Sequence, residues 1–178
     1  QIEAPKVVAT VKTQLSMKAG LKAWGDPAKT AVREEMQQLH MRDTFQLRHW
    51  KTLTPEERDR LLESHLFLKK KRCGKIKGRT VAGGNKQRAY IDKSDASSPT
   101  VSTQALMLTC IVDAHEGRDV MTIDIPNAFI QTRVEDPKQR VTVKIKGYLA
   151  ELLLEIAPET YGDYIHVDRK ETPVIIAE

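Results

Sequence analysis

The pattern of apolar and polar residues predicts a helix near the beginning of the chain. Asp26 is placed to cap this helix, and Pro27 suits its first position. One apolar stripe follows with helical spacing, at Ala28, Ala31, Val32, Met36 and Leu39. Residues 1–25 show no clear period, so we expect them to be loosely ordered.

Two further helix starts are recognisable from their capping residues. Thr54 and Glu57 have capping-box spacing, with Leu61 and Leu62 following on the buried side. Ser102 can cap a helix from about Thr103 to His115, which Gly117 ends. These helices indicate a scaffold and imply no chemistry.

Strand-like segments lie between and after these helices. Leu66–Arg72 and Ile76–Ala82 predict a β-hairpin around a Cys73-Gly74 turn, closed by Gly83-Gly84. Val120–Ile125 predicts a mostly apolar strand, which Pro126 ends.

The last part of the chain continues the alternation of strand and helix. Val141–Ile145 predicts a strand and Leu149–Ile156 a short apolar helix. Tyr164–Val167 and Val174–Ala177 can pair as a terminal hairpin. The fold class predicted from these elements is α+β.

The charged residues are distributed unevenly, because the basic ones are concentrated on the first hairpin. The 178 residues carry 29 Lys and Arg and 24 Asp and Glu, a net charge of +5. Between Lys69 and Lys93 there are ten basic residues and one acid, Asp92. Such a stripe suggests a polyanion partner, nucleic acid or nucleotide phosphate, although a solvated lysine face has the same composition.

Composition excludes several classes of protein. With 40% hydrophobic and 30% charged residues, the chain is typical of a globular domain rather than a disordered one. No apolar run approaches the ~20 residues that cross a bilayer, so no membrane partner is expected. Two cysteines, Cys73 and Cys110, predict no disulfide framework and favour a reducing, intracellular compartment.

Asp124 is the position at which the sequence most strongly suggests chemistry. It ends an otherwise apolar segment between Ile123 and Ile125, where an unpaired carboxylate is costly unless it binds a metal or a partner. A hard cation such as Mg²⁺ prefers oxygen ligands of this kind. The alternative is that Asp124 caps the turn before Pro126 and Asn127, a common structural use of Asp.

Other catalytic and binding motifs are weak or missing. GRTVAGGNKQ is rich in glycine but lacks the Walker pattern of nucleoside triphosphatases. The five histidines have no metal-ligand spacing. Only nine residues are aromatic, so the sequence gives no sign of a stacking platform for single strands.

Three ordered blocks of this sequence together resemble a known family. They are KGRTVAGGNKQR, SSPTVSTQALML and GRDVMTIDIPNAFIQ. In this order and spacing they resemble the reverse transcriptase of copia-type retrotransposons, an RNA-directed DNA polymerase. The family has a Lys-x-Arg-x-Val-Ala fingers segment, here from Lys77 to Ala82, and a Ser-Pro motif with a helix, here at Ser98-Pro99. Its palm strand ends Asp-(Ile/Val)-x-x-Ala-Phe, here from Asp124 to Phe129.

The resemblance implies a role for each matching residue. Asp124 would bind catalytic Mg²⁺, with the backbone carbonyl of Ile125 as a further ligand. Phe129 would lie under the sugar of the incoming deoxynucleoside triphosphate, and Lys77 and Arg79 would face its triphosphate. Contacts to template backbone or solvent are implied for the remaining hairpin cations, Lys70, Lys71, Arg72 and Lys75. The partners implied are an RNA template, a DNA primer and deoxynucleoside triphosphates.

The resemblance also implies an organisation into three segments of a truncated right-hand polymerase. These are an arm with the first helix (1–42), a fingers-like segment with the basic hairpin (43–93) and a partial palm with a partial antiparallel sheet (94–178). The family's Tyr-x-Asp-Asp turn does not occur in the sequence, so we expect a fragment that is inactive alone.

Two other hypotheses remain beside this one. The chain could be a non-catalytic nucleic-acid-binding protein built on the basic hairpin. It could also be a fragment that folds poorly, because a palm sheet without its central hairpin would leave Val120–Ile125 without partner strands.

Overall fold

The computed structural model describes residues 14–89, 91, 100–136 and 140–178. These residues form two compact units. The large unit comprises the described residues up to Lys86 and from Val134 onward, and the small unit comprises those within Gln87–Arg133.

A mixed sheet of seven strands runs through the large unit. The spatial order is β1-β3-β5-β7-β2, with β4 paired to β3 and β6 paired to β7. The strands are β1 (Gln14–Ser16), β2 (Leu47–Arg48), β3 (Leu62–Lys70), β4 (Ile76–Ala82), β5 (Val143–Lys146), β6 (His166–Val167) and β7 (Pro173–Ala177). All of these pairings are antiparallel except that of β3 with β5.

Five of the six helices in the described residues belong to the large unit. They are α1 (Met17–Trp24), α2 (Asp26–Met41), α3 (Pro55–Arg60), α5 (Tyr148–Ile156) and α6 (Pro158–Tyr161), and α4 (Thr103–Glu116) lies in the small unit. The predicted stripe of α2 is confirmed, since all five of its residues are buried. None of these six helices has the length and apolar content that a membrane crossing requires.

Strand β7 lies at the centre of the core because apolar side chains cover both of its faces. Val174 and Ile176 pack with Leu53 and Leu61 on one side. Ile175 points to the opposite face, as alternation along a strand requires, and is equally buried. The pairing of the predicted terminal hairpin is confirmed, with His166 opposite Val174, but its first strand is only His166–Val167, because Tyr164 belongs to a 3₁₀ helix at Gly162–Tyr164.

The small unit contains α4 and an irregular segment. Ser102 caps α4 as predicted, since its Oγ accepts the N–H of Ala105 at 3.1 Å. Gly117 ends the helix in the left-handed conformation, with a φ of 62°. Residues 118–125 have no regular secondary structure, and a 3₁₀ turn follows at Ala128–Gln131.

Several sequence predictions are wrong in detail. The strand predicted at Val120–Ile125 is irregular, because a strand needs a hydrogen-bonded neighbour and the described part of the small unit contains none. Residues 14–24 are ordered as β1 and α1 rather than loose. The sheet is mixed, because β3 and β5 run parallel where an antiparallel sheet was expected.

Two helix ends also differ from expectation. Asp26 is the first residue of α2 rather than its cap, and its carboxylate binds Lys29 Nζ at 2.9 Å. The capping box of Thr54 and Glu57 is confirmed, but α3 ends at Arg60. Leu61 and Leu62 are buried as expected, yet they lead into β3, where the sheet supplies their partners.

Candidate nucleic-acid interface

The basic hairpin is formed by β3, β4 and a short, well-defined turn. The Lys71 N–H donates to the carbonyl of Lys75 at 2.8 Å, and the Gly74 N–H donates to the carbonyl of Lys71 at 2.9 Å. Gly74 has a φ of 83°, which glycine adopts without steric cost. This geometry is that of a three-residue hairpin loop, and it confirms the predicted Cys73-Gly74 turn.

The inner face of the hairpin packs against α1 and α2. Its buried side chains are the apolar Leu62, Leu66, Leu68 and Ile76 and the polar Ser64. Helix α2 approaches Gly78 very closely. A Cβ added at Gly78 would lie 2.9 Å from the carbonyl oxygen of Ala31 and 3.0 Å from Cβ of Glu35. Because alternate residues point to opposite faces of a strand, this contact directs Lys77 and Arg79 to the outer face.

The outer face therefore presents cations in fixed positions. Lys69 on β3 lies directly opposite Lys77 on β4, and Arg79 lies two residues further along. All three side chains are exposed, and none forms an ion pair with another described residue. Like charges opposite each other destabilise a strand pair, and a bound anion would relieve that repulsion.

The turn gathers the other predicted cations at the tip of the hairpin. Lys70, Lys71, Arg72 and Lys75 are all exposed there. Lys75 Nζ lies 3.8 Å from a carboxylate oxygen of Glu34. A groove of about 260 Å³ between α2 and the hairpin is lined by Lys71, Lys75 and Lys77, but also by Glu34 and Glu35. The outer face is therefore the more favourable anion surface.

One acid lies further along the outer face and is already paired. Glu63 accepts a hydrogen bond from Lys146 Nζ at 2.8 Å. This bond holds the pKa of the Glu63 carboxyl below its ordinary value of 4.5. Its negative charge is thereby offset at the opposite end of β3 from the cations.

Asp124 lies in the irregular segment of the small unit, whereas Lys77 and Arg79 lie in the large unit. Its side chain is exposed and makes no hydrogen bond or ion pair with the described residues. The turn that follows is closed by Ile130 N–H to Asn127 and by Gln131 Nε2 to the carbonyl of Pro126. Asp124 takes no part in those bonds, so they do not support the interpretation of Asp124 as a turn cap.

The proposed magnesium ligands form an incomplete set in the described residues. The carboxylate of Asp124 and the carbonyl of Ile125 are oxygen donors of the kind that Mg²⁺ prefers. Among the residues that the structure describes, no three His, Cys, Asp or Glu side chains come together as a metal site. The described residues alone therefore do not fit a complete site for the ion.

Two motif positions lie partly or wholly outside the described residues. Phe129 belongs to the 3₁₀ turn at Ala128–Gln131, but its side chain is outside the description. Ser98 and Pro99 lie outside the described ranges altogether.

Sequence reasoning missed an aromatic residue on the outer face of the hairpin. Phe67 lies directly opposite Arg79 in the register of β3 and β4 and is partly exposed. The strand alternation Leu66, Phe67, Leu68 would have placed Phe67 outward once Leu66 and Leu68 were assigned to the core.

Sequence reasoning also missed a second group of aromatic contacts, between residues near position 50 and residues near position 165. Trp50 stacks on His166 with ring centroids 4.8 Å apart, and Arg58 lies over the indole of Trp50. His49 stacks on Tyr164 at 4.3 Å. The two stacked pairs join residues more than a hundred positions apart, so no local motif could have predicted them. They cover the β7 core, because Trp50 packs against it.

Comparisons were made with protein-family models, with curated proteins and with solved structures. None of the three finds a match to this chain.

Proposed function

We propose that this chain is the fingers and first palm segment of a reverse transcriptase of copia-type retrotransposons. In the complete protein it would take part in RNA-templated synthesis of DNA. The proposal rests on the resemblance of three ordered motifs and on the surface that one of them forms. In this proposal the basic hairpin contacts phosphate groups of template, primer or incoming nucleotide.

One observation supports the proposal above the others. Lys77 and Arg79 project from the same face of β4, on a rigid hairpin, and Lys69 faces Lys77 from the neighbouring strand. A guanidinium can hold two phosphate oxygens at once, and an ammonium adds a compact point charge. Since these side chains have no acidic partner in the described residues, a phosphate would not have to displace one.

The catalytic half of the proposal depends on the resemblance. In the complete enzyme that the resemblance implies, Asp124 and the carbonyl of Ile125 would form part of the Mg²⁺ ligand set, and the ion would supply electrostatic stabilisation of the transferred phosphoryl group. Phe129 would exclude a 2′-hydroxyl. We expect no polymerisation by the 178 residues alone, because they contain no Tyr-x-Asp-Asp turn to provide further carboxylates.

The second candidate is a nucleic-acid-binding protein without catalysis. The exposed cations on the outer face of the hairpin serve this candidate equally well, because the binding of phosphate groups needs no metal site. Both candidates use the same hairpin surface, so binding is measured first and chemistry second.

The binding experiment measures the affinity of the purified chain for a labelled RNA–DNA hybrid by fluorescence anisotropy over a range of salt concentrations. We expect Lys77→Ala with Arg79→Ala to weaken binding at least about tenfold and to lower the slope of log K against log salt by about 2. The matched control is Arg169→Ala with Lys170→Ala. It removes the same charge from an exposed turn between β6 and β7, and we expect it to change affinity little.

Equal loss of affinity in the test variant and the control would contradict a specific interface and indicate net charge alone. The catalytic half is tested by primer extension with Mg²⁺, using the chain joined to the sequence that continues its reading frame. Loss of extension on Asp124→Asn with retained hybrid binding would support the metal role, and unchanged extension would contradict it.

A further inference from the structure

Helix α2 contacts strand β4 at two nearby residues of the hairpin. Gly78 packs on the inner face, where an added Cβ would lie 2.9 Å from the carbonyl oxygen of Ala31. Two residues further along, a carboxylate oxygen of Glu35 accepts the N–H of Thr80 at 2.8 Å. Arg79 lies between these two contacts, so α2 holds the backbone on both sides of it.

The N–H of Thr80 points away from β3 and needs an acceptor from outside the hairpin. The Gly83 N–H donates to the carbonyl of Glu63 at 2.8 Å, and such bonds recur at every second residue pair of antiparallel strands. Thr80, opposite Leu66, is three pairs along from Gly83, so its own pair has none of these bonds. Glu35 supplies the acceptor from the neighbouring helix, and its negative charge makes the bond stronger than a neutral acceptor would.

The cations on the outer face of the hairpin oppose this geometry by repelling each other. Lys69 lies directly opposite Lys77, and Arg79 is two residues further along β4. Like charges on paired strands are destabilising, and the bond from Glu35 to Thr80 stabilises the backbone next to Arg79 against that repulsion. Because Glu35 forms no ion pair with a described residue, it does so without neutralising a cation.

We propose that Glu35 is a positioning residue for the anion-binding surface of the hairpin. By fixing the backbone at Thr80, it sets the place of the Arg79 guanidinium relative to Lys69 and Lys77, and hence the spacing of the phosphate groups that these three cations bind. The inference rests on the proposed function, because a positioning residue acts only through the surface that it supports. It gives an acidic side chain a favourable effect on anion binding, which its charge alone would oppose.

The experiment measures affinity for the labelled RNA–DNA hybrid by fluorescence anisotropy over a range of salt concentrations. Glu35→Ala removes a negative charge, so electrostatics alone predicts tighter binding. Positioning predicts the opposite, and we expect the affinity to fall about threefold to tenfold and the slope of log K against log salt to decrease by about 1, as Arg79 loses its phosphate. Glu35→Gln removes the same charge but keeps an amide oxygen as acceptor, and it should restore the affinity of the unmodified chain.

Two further variants separate the hydrogen bond from charge. Glu34→Ala is the matched control, since it removes the same charge from the adjacent position of α2 and releases Lys75 from its ion pair. We expect it to bind the hybrid as tightly as the unmodified chain or more tightly. Glu35→Asp keeps the charge, but its carboxylate is one methylene too short to reach the Thr80 N–H, so it should weaken binding as Glu35→Ala does.

A double-mutant cycle distinguishes positioning from a general structural role. If Glu35 acts through Arg79, Glu35→Ala should weaken binding by the unmodified chain but have little further effect in Arg79→Ala. Urea unfolding shows which variants are folded, and Glu35→Asp takes the place of Glu35→Ala in the cycle if the latter does not fold.

Three outcomes would overturn the inference. They are an equal loss of affinity in both backgrounds of the cycle, tighter binding by Glu35→Ala, and equal affinities of Glu35→Ala and Glu35→Gln. Absence of hybrid binding by the unmodified chain would instead refute the proposed function itself.

Discussion

Two segments of this protein have similar apolar sequences but very different solvent exposure. In β7, Val174, Ile175 and Ile176 are 0% exposed. In the segment around Asp124, the side chains of Val120, Met121, Ile123 and Ile125 are 61–77% exposed.

The difference lies in the partners that each segment finds. Strand β7 is paired with β5, β2 and β6 and is covered on both faces. The Asp124 segment has no paired strand among the described residues. A strand-like pattern predicts which side chains would be buried in a sheet. Whether the segment forms a strand depends on the neighbouring strands with which it can pair.

The sharpest test of this contrast removes the same side chain from each segment. Ile176→Ala should lower the free energy of unfolding by about 3 kcal/mol, because it leaves a cavity where Ile176 packs against Leu53 and Leu61. Ile123→Ala should change it by less than about 0.5 kcal/mol. Urea unfolding is followed by tryptophan fluorescence for the large unit, where both Trp24 and Trp50 lie, and by circular dichroism for a signal that includes α4 of the small unit. A large effect of Ile123→Ala would show that its segment is buried.

The next test asks whether the close packing of the large unit extends to the hairpin. Gly78→Ala should destabilise by about 1–3 kcal/mol, because its Cβ would meet the backbone oxygen of Ala31 at 2.9 Å. Gly162→Ala is the control, since its φ is −56° and nothing lies within 4 Å of the added Cβ. Equal unfolding midpoints for the two variants would show that α2 does not press on β4.

Helix caps of the same chemistry occur in both units and allow a smaller comparison. Thr54→Ala breaks the capping box of α3 and should cost about 1 kcal/mol of unfolding free energy in the fluorescence experiment. Ser102→Ala removes the cap of α4 in the small unit. It should lower the helical signal in circular dichroism and leave the tryptophan transition in place. A shift of that transition in Ser102→Ala would mean that the two units unfold together.

The smallest effect concerns pH. Burial lowers the pKa of His166 below its ordinary value of 6.5, and nearby Lys144 acts in the same direction, while the hydrogen bond with the carbonyl of Val174 and the charge of Asp168 oppose the shift. The unfolded chain therefore takes up this proton first as pH falls below 6.5, and the free energy of unfolding should decrease from there toward the folded pKa. His166→Gln should flatten this part of the stability profile. The control His115→Gln, on exposed α4, should leave it unchanged.

Local patterns predicted the parts of the fold that local physics determines. The stripe of α2, the Thr54 and Ser102 caps and the turn at Gly74 are present because helical periodicity, side-chain capping and positive φ are properties of short segments. The strand around Asp124 could not be predicted in the same way, since pairing depends on residues elsewhere in the chain.

The candidate site was also predictable only where local patterns determine it. Alternation along β4 was sufficient to bring Lys77 and Arg79 to one face once Gly78 was known to be buried. Phe67 was missed because its place beside Arg79 follows from the register between two strands, and its place beside Ser16 from a strand that showed no period. A resemblance of motifs identified the matching residues but could not describe their neighbours.

The bond between Glu35 and the backbone of β4 has a consequence for how this molecule meets other chains. In the described residues β4 pairs only with β3, and its other edge would present free N–H groups. The carboxylate of Glu35 on α2 accepts the N–H of Thr80 at 2.8 Å. A foreign strand would have to displace this bond before it could pair with β4 at Thr80. The bond from α2 therefore protects the middle of this edge against pairing with another chain.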